Sequence, residues 1–184
     1  MRIILAALCL ALVVACSPGA KTAPADPVLE RLFTQLSEAP DAAAAAPIEQ
    51  QIWERWAASG SPTVDILLER AAAAEAAGDK NLAVDFLSQA SELMPRYAEP
   101  WNRRASLAYE AHDYSGAITA IQQTLEREPR HFGAMAALGL IYEELGQEKA
   151  ALDAFRAALA VHPNFEAAKR GVQRLEPKID GQDA

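Results

Sequence analysis

Beyond residue 16 the chain has no cysteine; Cys9 and Cys16 are its only two, and both lie in the first apolar segment. A disulfide framework and any thiolate metal site are therefore excluded from the rest of the chain. Positive charge is scarce as well. Lys and Arg number 17 against 25 Asp and Glu, a net charge of −8, so the basic face that phosphate backbones require is missing and nucleic acid is excluded as a partner. No GxSxG, HExxH, P-loop or GxGxxG stretch occurs, so the common hydrolase, metalloprotease and nucleotide-binding signatures are absent. His112, His131 and His162 are widely spaced, with no second histidine or cysteine three or four residues away, whereas a metal site needs three or four convergent donors. The expectation is a non-enzyme with no catalytic residue, no metal and no cofactor.

What is present is alanine, the best helix former, and a period. Pro95, Pro129 and Pro163 are spaced by 34 residues, and laying 64–97, 98–131 and 132–165 over one another aligns Ala83, Ala117 and Ala151. Leu87, Ile121 and Phe155 also coincide. Two helical stretches per 34-residue unit mark a helix–turn–helix array. The small residues sit where paired helices approach closely, and the larger ones fill the layer shared with the next unit. Gly78 and Gly146 suit the left-handed residue that ends the first helix of a unit. His112 stands at that place in the middle unit, which predicts some strain there.

The third unit, with Leu138-Gly139, Tyr142, Gly146, Ala151, Phe155, Ala158 and Pro163, resembles a tetratricopeptide repeat (TPR). The second matches through Trp101, Ala105, Asp113-Tyr114, Ala117, Ile121 and Pro129, and the first through Leu67, Ala71, Gly78-Asp79, Ala83, Leu87, Ala90 and Pro95. The resemblance implies an all-α superhelix of antiparallel helix pairs. Arg70 and Arg104 replace the leucine that Leu138 supplies; they are expected to lay their stems along the helix and send the charge to solvent.

Residues 3–16 form an uninterrupted apolar run after Met1-Arg2, shorter than the ~20 residues that span a bilayer and built like a signal peptide. Its end, Val13-Val14-Ala15-Cys16, resembles a bacterial lipobox. That resemblance implies loss of residues 1–15, acylation of Cys16, and a lipid-anchored, periplasm-facing protein, with the outer membrane favoured by Ser17. The alternative is a plain signal peptide with Cys16 incidental. Residues 17–27, with three prolines, read as an extended tether.

Between tether and repeats, Leu29, Leu32, Phe33 and Leu36 form one helical stripe, closed by Ala39-Pro40. A second helix carries Ile48, Ile52, Trp53 and Trp56. It starts near Pro47, or reaches back to a cap at Asp41. Trp53 and Trp56 are expected to anchor this degenerate repeat or cap against the first true repeat; exposed, they would instead form a homodimer seam. The sequence thus divides into 1–15 signal peptide, 16–27 lipidated cysteine and linker, 28–63 degenerate repeat or cap, repeats at 64–97, 98–131 and 132–165, 166–176 capping helix, and 177–184 disordered tail.

In TPR arrays the first helix of each unit lines the concave face that holds a peptide. Carried over by position, the groove comprises Leu68 and Glu75 with Asp65 and Ala72 in the first unit. The second unit supplies Asn102, Arg103, Ser106 and Tyr109 with Glu99, and the third supplies Leu140 and Glu143 with Gly133 and Ala136. The clamp by which some members hold acidic chaperone tails needs Lys and Asn where Leu68, Ala72 and Gly133 stand. The implied function is a lipid-anchored scaffold for a protein or peptide partner with apolar anchors and some positive charge. A self-associating subunit and a chaperone-like holder are the alternatives. Glu143-Glu144 read as solvated charge.

Overall fold

The same short-range hydrogen bonds recur three times along the middle of the chain. In the computed structural model, which describes residues 26–180, Asp79 N donates to Ala74 O at 2.9 Å, Asp113 N to Ala108 O at 2.9 Å, and Gln147 N to Tyr142 O at 2.8 Å. Each bond closes a helix through a left-handed residue: Gly78 at φ 79°, His112 at φ 57° and Gly146 at φ 70°. Asp79 and Asp113 then cap the following helix, accepting from Leu82 N at 3.0 Å and Gly116 N at 2.9 Å. A second turn also repeats, with Tyr97 N on Met94 O, His131 N on Glu128 O and Phe165 N on His162 O.

Nine helices and no strand result among the described residues. They are α1 (Pro27–Glu38), α2 (Ala42–Ala57), α3 (Pro62–Ala76), α4 (Lys80–Leu93), α5 (Glu99–Glu110), α6 (Tyr114–Arg127), α7 (Phe132–Glu144), α8 (Glu148–Val161) and α9 (Glu166–Asp180). The pairs α3/α4, α5/α6 and α7/α8 stack in sequence order, and α9 packs on α8 and α7. The architecture is all-α, an array of helix pairs. The alanines permit close approach, since Ala71, Ala83, Ala117 and Ala151 have no exposed surface. Phe155 lies between two glycines: a Cβ on Gly139 would fall 2.7 Å from its ring and one on Gly171 2.4 Å. Arg104 does lie along its helix, but it is half-buried with its guanidinium 4.7 Å from the Trp101 ring centre, and Arg70 reaches across to α4, 5.9 Å from the ring centre of Phe86, so neither charge simply turns to solvent. None of the helices among the described residues is long and apolar enough to cross a membrane.

The ends differ from the sequence reading. Asp26 accepts from Val28 N at 2.9 Å, so it and Pro27 belong to α1 and not to the tether. The second helix takes its longer form: Asp41 caps it and Pro47 lies inside. At the other end α9 continues through Pro177, beyond the expected boundary at 176, because Ala168, Leu175 and Ile179 are buried on one stripe. Pro177 and Gln173 are exposed, so the carbonyl that loses its donor has water available.

The larger correction concerns α1 and α2, which do not stack in front of the first repeat. The core of that repeat (Val64, Leu67, Ala71, Ala83, Leu87, Ala90) includes no residue from either helix. Leu36, Ile52 and Trp56 instead share a core with Phe132, Ala136, Phe155 and Leu175 of α7, α8 and α9. The hairpin lies along the edge formed by the turns between repeats. Ala57 O accepts from Tyr97 Oη at 2.7 Å, Trp56 Nε1 donates to Glu128 at 3.2 Å, and Trp56 stacks on His131 at 4.3 Å. Farther along, Glu49 accepts from His162 Nε2 at 3.0 Å and Ala39 O from Asn164 at 2.7 Å. Arg130 grips Glu30 at 2.6 Å and covers the Phe33 ring at 4.1 Å. Trp56 sits where the repeat pattern puts Ala90 and Ala158. An indole there blocks the close approach that stacking in register needs, so the hairpin docks sideways as a clasp. Trp53 and Trp56 thus anchor to the third repeat and not the first; Trp56 is 9% exposed and forms no exposed dimer seam.

Candidate functional site

Helices α5 and α7 run side by side with α6 behind them, and between them opens a cleft of about 340 Å³. Its floor is apolar: Ala105 from α5, Ile121 from α6, and Ala137, Leu140 and Ile141 from α7. Asn102, Ser106, Tyr109 and Glu110 form the polar rim. Four of the residues expected in the groove therefore meet here: Asn102, Ser106, Tyr109 and Leu140. Leu140 is 39% exposed and offers apolar surface to solvent.

The other expected groove residues lie elsewhere. Leu68 is buried in the first repeat's core, and only its backbone carbonyl points outward, accepting from Arg103 Nη1 at 3.2 Å. Arg103 is neutralised by Glu99 at 2.9 Å, and Asn102 donates to the same carboxylate at 3.2 Å. Glu75 is half-buried, with one carboxylate oxygen shielded and without a donor. Glu143 is held by Arg174 of α9 at 2.7 Å, which keeps its carboxyl below the usual range. Ala136 is buried in the core shared with the clasp, and Gly133 lies under Trp53, whose ring would sit 2.5 Å from a Cβ there. Sequence reasoning chose Ala136 where the cleft uses Ala137; one residue is a rotation of about 100° on a helix. The i+4 ridge Gly133–Ala137–Ile141 was the available signal.

Glu144 is exposed to solvent, as expected, but it is not without partners. The hydroxyls of Tyr109 and Tyr114 both donate to its carboxylate, and His112 Nδ1 lies 3.1 Å from the Tyr114 hydroxyl. These bonds lower the Glu144 carboxyl below its ordinary value and push the Tyr109 phenol up to about 12. Tyr109 therefore stays protonated, its ring pinned at one end of the cleft by a group on the next repeat. Fixing a rim aromatic in advance lowers the ordering cost of binding. The cleft has no arrangement of nucleophile, base and oxyanion donors; it offers shape, apolar area and an acidic neighbour in Glu144, while Glu110 on its rim is paired with Lys80 at 3.2 Å. Cys16 lies outside the described residues.

A family model described as tetratricopeptide repeat matches residues 102–168. A TPR repeat-containing protein of Rhizobium etli is 35% identical over 153 residues, which cover 83% of this chain and 75% of that protein. Among solved structures, the TPR domain of Arabidopsis OM64 superposes with a TM-score of 0.58 at 25% identity, covering 63% of this chain and 96% of that one. The first TPR of Spaghetti (RPAP3), bound to the HSP90 peptide SRMEEVD, gives a TM-score of 0.60 at 16% identity and covers 65% of this chain and 95% of that one.

Proposed function

This chain belongs to the tetratricopeptide repeat family, and on that premise we propose that it is a non-enzymatic scaffold that holds a partner polypeptide in the α5–α7 cleft. The observation that carries this reading is the cleft itself, an apolar floor around a half-open Leu140 under a polar rim. Its volume of about 340 Å³ admits one or two anchor side chains and not a long apolar segment, which disfavours a general holder of unfolded chains. The neighbouring Glu144 carboxylate favours positive charge beside the anchor. A peptide such as SRMEEVD, which RPAP3 holds, suits this surface poorly. Arg103 is already paired, Leu68 is buried and Gly133 is covered.

The same reading places the scaffold on the periplasmic side of a bacterial envelope, tethered by acyl chains on Cys16. Support comes from the Val13-Val14-Ala15-Cys16 pattern at the end of a short apolar run. Two or more acyl chains are needed for stable attachment. Asp26, where the tether meets the array, is bonded to Arg55 beside the turns between repeats. The anchor would therefore leave the cleft open.

A photo-crosslinker at Ser106 in living cells tests the cleft. Proteins captured there, not captured from Asp153 on α8, and lost in an Ala137→Glu variant are the expected result. Equal capture from both positions, or capture that survives Ala137→Glu, rejects the cleft. Metabolic fatty-acid labelling tests the anchor, and label that persists in Cys16→Ala rejects it.

A further inference from the structure

Each later repeat buries a row of residues against the repeat before it. Leu107 of α5 is buried in the first repeat's core, and Ala134 and Ile141 of α7 are buried in the second's; Pro100, Ala120 and Ala154 on the same two repeats are buried as well. Stepping back by 34 residues gives Ile66, Ala73 and Phe86 on α3 and α4. Here Ile66 is 50% exposed, Ala73 is exposed and Phe86 is half-buried. Leu82 and Leu93 extend the row on α4, at 42% and 58% exposure. The counterpart of Leu93 is Arg127, which donates to Pro95 O of the preceding turn, so this position also faces the preceding unit. The first repeat therefore presents an unfilled stacking face, because the hairpin that would cover it docks on the far repeat instead. Solenoid ends ordinarily carry a polar cap.

We infer that this open end is a homodimer interface, in which the α3–α4 faces of two copies meet head to head about a two-fold axis. The face continues the stacking surface used twice inside the chain, so its shape calls for another helix pair. The other end of the array offers none, because α9 closes it with Arg170, Gln173 and Arg174 turned to solvent. Head-to-tail growth is thereby blocked, and pairing two open ends is the closed arrangement that covers both. Within the row the single charge is Arg70, stacked on Phe86, and charge depletion is the mark of an interface centre. Glu69, Asp85 and Glu92 flank it, so opposite signs can meet across the two-fold. The same acidic flank disfavours an anionic lipid surface. Helices of this length at ordinary packing distance give a footprint of roughly 20 by 20 Å on each copy, below the range of stable interfaces and within that of weak, transient ones. The dimer is accordingly expected to dissociate in the micromolar range.

Sedimentation equilibrium of the full chain in density-matched nonionic detergent measures it. The wild type should show reversible monomer–dimer behaviour, and Ile66→Glu/Leu93→Glu should weaken it by at least about tenfold. Leu145→Glu, an equally exposed leucine at the end of α7, should leave it unchanged. All these residues are exposed, so circular dichroism should show intact helices. A photo-crosslinker at Leu93 should yield a covalent pair of this chain. A monomer at every concentration, a double variant that dimerises like wild type, or crosslinking from Leu93 to lipid or to residues 3–16 of the same chain would overturn the proposal. None of these readouts depends on the α5–α7 cleft.

Discussion

His131 is 1% exposed, stacked on Trp56, and accepts from Ala134 N through Nδ1 at 3.1 Å. Its Nε2 is buried without a partner, so a second proton would place an unpaired cation among aromatic rings. Burial accordingly lowers its pKa to about 4. The sign follows from linkage: below about pH 6.5 the unfolded chain takes up a proton that the folded chain refuses. The stability contributed by neutral His131 is complete above that pH, declines as pH falls toward 4, and levels off below. The full difference is about 3 kcal/mol. His131→Asn keeps a capping acceptor and removes the titration. Urea unfolding at pH 7.5 should find this variant less stable than wild type, and by pH 4 the gap should narrow by about 3 kcal/mol. A gap constant across that range would show that His131 does not stay neutral. His112 makes the opposite point at the same scale. Its positive φ, where the neighbouring repeats have glycine, costs strain, and His112→Gly should stabilise by up to about 1 kcal/mol in thermal unfolding.

At the scale of elements, α3 to α8 were legible because their determinants are local. Left-handed turn residues, Asp caps, terminating prolines and paired alanines all act within a few residues of where they stand. The placement of α1 and α2 was not, because it depends on which distant surface complements two tryptophans. The period describes neighbours and cannot encode a contact between Trp53 and Gly133. Trp56 at a small-residue position was the one sequence sign that stacking would fail. The cleft was half legible for a related reason: register gave Asn102, Ser106, Tyr109 and Leu140, while Glu143 and Gly133 were claimed by α9 and the clasp. This docking can be measured as a coupling. A Cβ at Gly133 would lie 2.5 Å from the Trp53 ring, so Gly133→Ala should cost roughly 1–3 kcal/mol by overpacking. Trp53→Ala alone should cost about 3 kcal/mol. In the Trp53→Ala background the glycine substitution should cost close to nothing, since its obstacle is gone. Additive costs in chemical denaturation would place Trp53 away from α7 in solution.

For the whole molecule the clasp changes what kind of array this is. A linear stack is held by nearest-neighbour interfaces alone, and its ends fray separately. Here α2 touches all three turns between helix pairs, through Ala57 with Tyr97, Trp56 with Glu128, and Glu49 with His162. The first repeat is thereby tied to the third without passing through the second, and losing either loosens the other. Wild-type unfolding in urea should therefore superimpose when followed by circular dichroism, which reports all helices, and by tryptophan fluorescence. In Trp53→Ala/Trp56→Ala, Trp101 of α5 becomes the only indole and reports the middle repeat by itself. With the clasp released, the third core loses α1 and α2, while the first repeat's core and the core shared by α5, α6 and α7 contain no clasp residue to lose. The two signals should then separate, and the urea dependence of each transition should be shallower because each exposes less surface. Curves that still coincide in the double variant would show that neighbour stacking alone makes the array cooperative, and would leave the clasp only a local role.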